Sequence, residues 1–60
     1  MKDIKLYDQV IYWYNGIMER GCVLDVKLEE DGMKLFIENL RTHEMLILDA
    51  EMVYREENCK

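Results

Sequence analysis

The chain has 60 residues, of which 50% are hydrophobic. It contains no proline, and its formal net charge is −5. We expect one domain over 1–60 with an ordered part of about 4–55, since this length leaves no room for a second core or a large substrate cavity. The excess of acid over base argues against non-specific nucleic-acid binding, which requires clustered cations.

The first predicted element is a β-hairpin. Residues 9–14 are rich in β-branched and aromatic types and are followed at once by Asn15-Gly16. This dipeptide between apolar runs favours a type I′ turn, in which both central residues have positive φ. The return strand is predicted over 17–28, with a bulge or bend at Gly21. On its apolar face we expect Cys22, Leu24 and Val26.

Three shorter strands are predicted next. An acidic turn ends in Gly32, residues 33–38 alternate between apolar and polar types, and 44–48 form a continuous apolar run typical of a strand covered on both faces. A helical turn capped by Asp49 precedes a fifth strand over 52–55, and 56–60 are expected to fray. The alternative is a helix over 42–57, in which Met45, Leu48, Met52 and Arg55 recur at helical spacing.

These five segments resemble the small SH3-like barrel in its Tudor and KOW versions. The resemblance rests on Asp8-Gln9-Val10, Gly16, Gly21-Cys22-Val23 and the run from Asp49 to Val53. It implies an all-β fold of five strands, closed into a barrel by the fifth strand, with one short helical turn before that strand.

The sequence offers no convincing catalytic or metal-binding group. It contains no serine, and Thr42, His43, Cys22 and Cys59 show no spacing typical of a nucleophile, a zinc site or a disulfide framework. We therefore expect no enzyme activity, no cofactor and no metal, with Cys22 slower to react than Cys59. Reduced thiols and the absence of a signal-peptide pattern indicate a cytoplasmic protein.

The apolar residues exceed what one small interior can hold. If Val10 and Tyr12 point inward, strand alternation sends Ile11, Trp13 and Phe36 outward. These outward residues either form an exposed interface or are covered by the amino-terminal residues Ile4, Leu6 and Tyr7. The sequence therefore does not decide whether Trp13 is exposed or part of the core. The predicted partner-binding residues are Trp13, Ile11, Phe36, Tyr14, Glu29, Glu30 and Asp31.

These features predict a non-enzymatic protein-interaction module that binds a protein partner or a second copy of itself. The acidic turn at Glu29, Glu30 and Asp31 is expected to favour a basic partner through its association rate. No membrane contact is expected, and nucleic acid is disfavoured by charge. The alternatives are an acidic inhibitor that imitates nucleic acid, of the kind encoded by phages, and a KOW-like contact with RNA or the ribosome.

Overall fold

The computed structural model describes the backbone of residues 4–58 and the side chains of residues 4–56. These residues form five strands and one 3₁₀ turn, which confirms the predicted all-β class. The elements in chain order are β1 (Asp8–Tyr14), β2 (Ile17–Glu29), β3 (Gly32–Asn39), β4 (Met45–Asp49), the 3₁₀ turn (Ala50–Met52) and β5 (Val53–Asn58). The alternative helix over 42–57 is wrong, because two extended runs flank the 3₁₀ turn.

All five strands belong to one antiparallel sheet in the order β4-β3-β2-β1-β5. The long strand β2 pairs with β1 through its first half and with β3 through its second half. β5 returns beside β1, with Val53 opposite Tyr12. β4 and β5 are therefore the two edges, and no pairing joins them within residues 4–58. The sheet differs from the expected closed barrel because β5 pairs with β1 and leaves β4 open.

The predicted hairpin turn is confirmed. Asn15 and Gly16 have φ angles of 53° and 76°, the positive values that a type I′ turn needs, and Tyr14 lies opposite Ile17. A second two-residue connection joins Glu29 to Gly32, at the other end of β2. Both turns lie where the sequence predicts them.

The core lies on the inner face of the sheet. Alternate residues of the strands supply it, and Ile4 and Ala50, at 6% and 4% exposed, complete it from outside the sheet. The most buried side chains, none more than 2% exposed, are those of Val10, Tyr12, Val23, Leu35, Ile37 and Val53. Strand alternation places three other apolar residues on the opposite, outer face of the sheet, as predicted: Ile11, Trp13 and Phe36.

The second strand differs from its predicted alternation. Its pairing with β3 shifts between Val23 and Asp25, so Leu24 is the extra residue of a bulge. Val23 is fully buried and Val26 packs against the core, which corrects the inward placement of Leu24. Cys22 also lies off the core face, half-buried between its strand neighbours. Cys59, the other thiol of the predicted pair, lies outside the described residues.

Gly21 has a different role from the one predicted. The register runs through it without a shift, so it is not the bulge. A Cβ atom built there would lie 2.2 Å from Ile37 Cγ2 and 3.2 Å from the carbonyl oxygen of Glu38. Glycine is needed because β2 and the Ile37 side chain approach each other too closely for any other residue.

The strand β4 was expected to be covered on both faces, and this is wrong. Met45 and Ile47 are 56% and 61% exposed, whereas Leu46 and Leu48 pack against the core. An edge strand has this pattern when only one face is covered. β5 extends through Asn58, three residues beyond the predicted end of the fifth strand. Positions 59–60, which belong to the segment expected to fray, lie outside the described residues.

The amino-terminal segment does not cover the outer face. Ile4 is in the core, while Leu6 and Tyr7 are 49% and 62% exposed. The segment is held by the buried Asp8 carboxylate, whose Oδ2 accepts the backbone amide of Lys5 at 2.9 Å and lies 3.2 Å from Arg55 Nε. Of the outward apolar residues, Trp13 and Phe36 are 60% and 37% exposed, and Ile11 is half-buried.

Candidate interaction surface

The predicted site residues do not form one surface. Ile11 and Trp13 lie two positions apart on the outer face of β1 and are neighbours. Trp13 lies opposite Met18 of β2, whereas Phe36 lies opposite Asp25, seven positions further along the same strand. The structure therefore brings Trp13 and Ile11 together and places Phe36 elsewhere on the outer face.

The first hairpin extends beyond the rest of the sheet. Pairing between β1 and β5 ends at Tyr12, and pairing between β2 and β3 begins only at Gly21. Beyond these points, the strand residues among 13–18 pair only with each other across the first turn. We call residues 13–18 the hairpin tip. A two-stranded ribbon of this kind has no neighbouring strand to cover its side chains.

The hairpin tip holds four large hydrophobic side chains in solvent. Trp13 and Met18, opposite each other on the outer face, are 60% and 42% exposed. Tyr14 and Ile17, opposite each other on the inner-face side, are 58% and 60% exposed. The tip has no Asp, Glu, Lys or Arg. An exposed apolar cluster centred on tryptophan is typical of an interface.

The apolar surface continues from the tip along the outer face of the sheet. Ile11 lies opposite Tyr54 of β5 on one side and Arg20 of β2 on the other, and Tyr54 is 61% exposed. We call Trp13, Met18, Ile11 and Tyr54 the outer patch. It joins the tip to the body of the sheet, so the exposed apolar side chains of the tip continue along β1 as far as Tyr54 of β5.

Polar groups border the outer patch. Glu56 Oε1 accepts hydrogen bonds from Gln9 Nε2 at 2.6 Å and from Arg20 Nε at 3.1 Å. The Gln9 hydrogen bond, followed by that of Arg20, lowers the pKa of the Glu56 carboxyl. An apolar centre with a hydrogen-bonded polar rim is the usual arrangement of a protein interface.

The base of the hairpin tip is anchored by a buried polar cluster. Asn39 Nδ2 donates to Tyr12 Oη at 2.6 Å and to Glu19 Oε1 at 3.3 Å. Asn39 Oδ1 accepts the backbone amides of Arg41 at 2.8 Å and Thr42 at 2.9 Å. One side chain thus connects β1, β2 and the loop after β3, directly below the tip.

Glu19 is the charged member of this cluster. Its side chain is only 8% exposed and pairs with the Arg41 guanidinium through Nη2 and Nε. The hydrogen bond from Arg41, then the one from Asn39, lowers the pKa of the Glu19 carboxyl against the opposing effect of burial. Every group in the cluster is partnered, so we assign it a structural role. The sequence prediction missed Glu19, although strand parity places it on the face of Val23.

The acidic turn lies far from the hairpin tip. Glu29 is the last residue of β2, and Glu30 and Asp31 follow it. The first two residues of this 13-residue strand, Ile17 and Met18, belong to the hairpin tip. Lys34 lies beside the turn: its pKa is raised chiefly by a hydrogen bond with Asp49, with added attraction from Glu29 and Asp31. Because screening at physiological salt acts over about 8 Å, the charges of the turn act only weakly on groups that contact the tip.

Among the side chains of residues 4–56, no group of three His, Cys, Asp or Glu is arranged to hold a metal ion. No helix within that part of the chain is long and apolar enough to cross a membrane. Comparison with protein-family models, curated proteins and solved structures found no match. The functional conclusions below therefore rest on the residues of this chain.

Proposed function

We propose that this chain is a non-enzymatic protein-interaction module that binds another protein through its hairpin tip, with Trp13 as the central contact. The observation that carries the proposal is the exposure of four large hydrophobic side chains on a ribbon that no other strand covers. Burying such side chains is favourable in proportion to the apolar area removed from water. Tryptophan is enriched among the residues that dominate binding energy at interfaces.

The shape and charge of the tip favour a protein groove over other partners. Apolar side chains project from both of its faces, so a cleft that contacts both faces buries more of them than a flat surface does. Nucleic acid would need cations for its phosphates, and the tip carries none. The distant acidic turn attracts a basic partner only at long range, through the association rate.

We infer that the open sheet is a variant of the SH3-like barrel of the Tudor and KOW type. Three features support this: β5 returns beside β1, β2 is shared by both halves of the sheet, and a 3₁₀ turn precedes the last strand. The unpaired edges of β4 and β5 set this chain apart from a closed barrel. The inference concerns architecture and assigns no ligand.

Partner capture with matched variants tests the proposed function. The immobilised chain is exposed to lysate of the cells that produce it, and bound proteins are quantified by mass spectrometry. Wild type and Leu28→Ala should capture the same protein, because Leu28 is 74% exposed but lies at the far end of β2. Trp13→Ala should lose that protein.

Urea unfolding of the same variants separates binding from folding. An exposed Trp13 predicts a change in unfolding free energy within about 1 kcal/mol for Trp13→Ala. A loss of about 3–5 kcal/mol would mean that Trp13 is a core residue and would overturn the proposal. So would a stable Trp13→Ala variant that captures every protein the wild type does.

A further inference from the structure

The strand β4 presents unpaired backbone groups along its outer side. The amide of Asn39 donates to the carbonyl oxygen of Glu44 at 2.8 Å, so Glu44 directs its backbone toward β3. Backbone groups of alternate residues in a strand point to opposite sides. Leu46 and Leu48 therefore bond β3, while the N–H and C=O groups of Met45 and Ile47 and the N–H of Asp49 are directed away from β3. The carbonyl of Asp49, the N-cap residue of the 3₁₀ turn, accepts the first hydrogen bond of that turn.

This edge lacks the features that usually prevent strand pairing. Natural edge strands are protected by lysine, proline, bulges or a covering segment. β4 has the sequence Met-Leu-Ile-Leu-Asp, contains no bulge in its pairing with β3, and borders no other strand of the described chain. Its one charged side chain, Asp49, is paired with Lys34. The opposite edge, β5, carries Arg55 and Glu56.

We propose that β4 pairs antiparallel with β4 of a second copy of this chain, about a two-fold axis at Ile47. In this register Ile47 lies opposite Ile47 of the second copy, and Met45 lies opposite Asp49. The Ile47 pair exchanges two hydrogen bonds, and in each Met45–Asp49 pair the amide of Asp49 donates to the carbonyl oxygen of Met45, which gives roughly four hydrogen bonds in all. The product is a continuous ten-stranded sheet.

The side chains fit a second copy on both faces of the sheet. On the outer face, Ile47 and its strand neighbour Phe36 are 61% and 37% exposed. Pairing extends them into a row of four apolar side chains across the axis. On the inner face, Leu46 of each copy meets Leu48 of the other, which joins the two cores.

Self-complementarity is what favours a second copy over a foreign strand. The two-fold register opposes apolar residues with apolar residues and places no two like charges opposite each other, which would be destabilising. The contact is isologous and closes at two copies. It uses a different part of the chain from the hairpin tip, so a dimer would present two tips to a partner.

Sedimentation over a concentration series tests the dimer. The weight-average mass of the wild type should rise from the 7.3 kDa of one chain toward twice that value. Ile47→Lys should weaken dimerisation by about tenfold or more, because two like charges would meet at the axis. The matched control is Leu28→Lys: Leu28 is 74% exposed but lies near the end of β2, outside the hairpin tip and separated from β4 by β3, so this variant should dimerise as the wild type does.

Hydrogen–deuterium exchange gives a second readout that identifies the strand. The amides of Ile47 and Asp49 should become more protected as protein concentration rises, while the amide of Trp13 should not change. A wild-type mass that stays at one chain throughout the series would overturn the proposal. So would equal dimerisation by Ile47→Lys, or growth beyond two copies, which would indicate pairing between unlike edges.

Discussion

The Asn39 side chain donates a hydrogen bond from Nδ2 to Tyr12 Oη at 2.6 Å, joining the last residue of β3 to β1 immediately below the hairpin tip. Tyr12 is 2% exposed and ends the pairing of β1 with β5. The next residue, Trp13, is already in solvent. One buried contact therefore marks the boundary between the rigid sheet and the exposed tip.

Asn39→Ala should lower the free energy of unfolding by about 1–3 kcal/mol, because it removes the buried hydrogen bonds from Asn39 Nδ2 to Tyr12 and Glu19. Glu19 keeps its pair with Arg41. It also removes the acceptor for the backbone amides of Arg41 and Thr42. Urea unfolding measures the change. The control is Thr42→Ala in the same loop, whose hydroxyl makes one exposed contact to the amide of Glu44 and should matter little. Equal stability of the two variants would contradict the anchoring role.

Gly21→Ala should destabilise the fold by about 1–3 kcal/mol, because the new Cβ would overlap Ile37 Cγ2. Ile37→Ala should also destabilise it, through the cavity that it leaves in the core. The double variant should lose less unfolding free energy than the two single variants lose together, because the smaller side chain at position 37 makes room for the new Cβ atom at position 21. Additive losses would mean that Gly21 is required for its backbone rather than for this close approach.

The stability of the protein should fall in acid partly because of Glu19. Its folded pKa is lowered by Arg41 and Asn39, so the folded state binds the proton less readily than the unfolded chain. The stabilisation is present above the ordinary glutamate pKa of about 4.3 and is lost as pH falls through the folded pKa. Glu19→Gln should be less stable at neutral pH and lose stability less steeply in acid.

Urea unfolding at several pH values measures this difference. Glu56, whose pKa is lowered by Gln9 and Arg20, keeps its own share of the acid dependence in that variant. If Glu19→Gln kept the full wild-type slope below pH 5, the Glu19–Arg41 pair would not stabilise the folded state as described.

The parts of the fold predicted best were those encoded by neighbouring residues. Asn15-Gly16 specifies both the turn type and the register of the first hairpin, because few other residues tolerate two positive φ angles. Strand alternation put Trp13 on the face opposite to Tyr12 but left open whether Trp13 was covered; the structure shows it 60% exposed. The 3₁₀ turn was also predicted, one residue before its observed position, but Asp49, the predicted cap, makes no side-chain capping hydrogen bond.

The parts that were missed depend on contacts between distant residues. The bulge at Leu24 follows from the pairing of β2 with β3, and no residue type signals it. The sequence prediction assumed unbroken alternation along β2. Counted back from Val26, this alternation places Cys22 on the core face and Glu19 on the outer face, and the bulge reverses both placements. The distance between Trp13 and Phe36 depends on where each meets β2, which alternation alone does not specify.

Fluorescence of Trp13, the only tryptophan, tests the proposed interaction surface most directly. In the isolated chain its emission should be red-shifted and readily quenched by acrylamide, in keeping with 60% exposure. Dimerisation through β4 should leave both properties unchanged. Binding of a captured partner that lacks tryptophan should shift the emission to the blue and reduce quenching. Unchanged emission and quenching in a saturated complex would contradict a contact centred on Trp13.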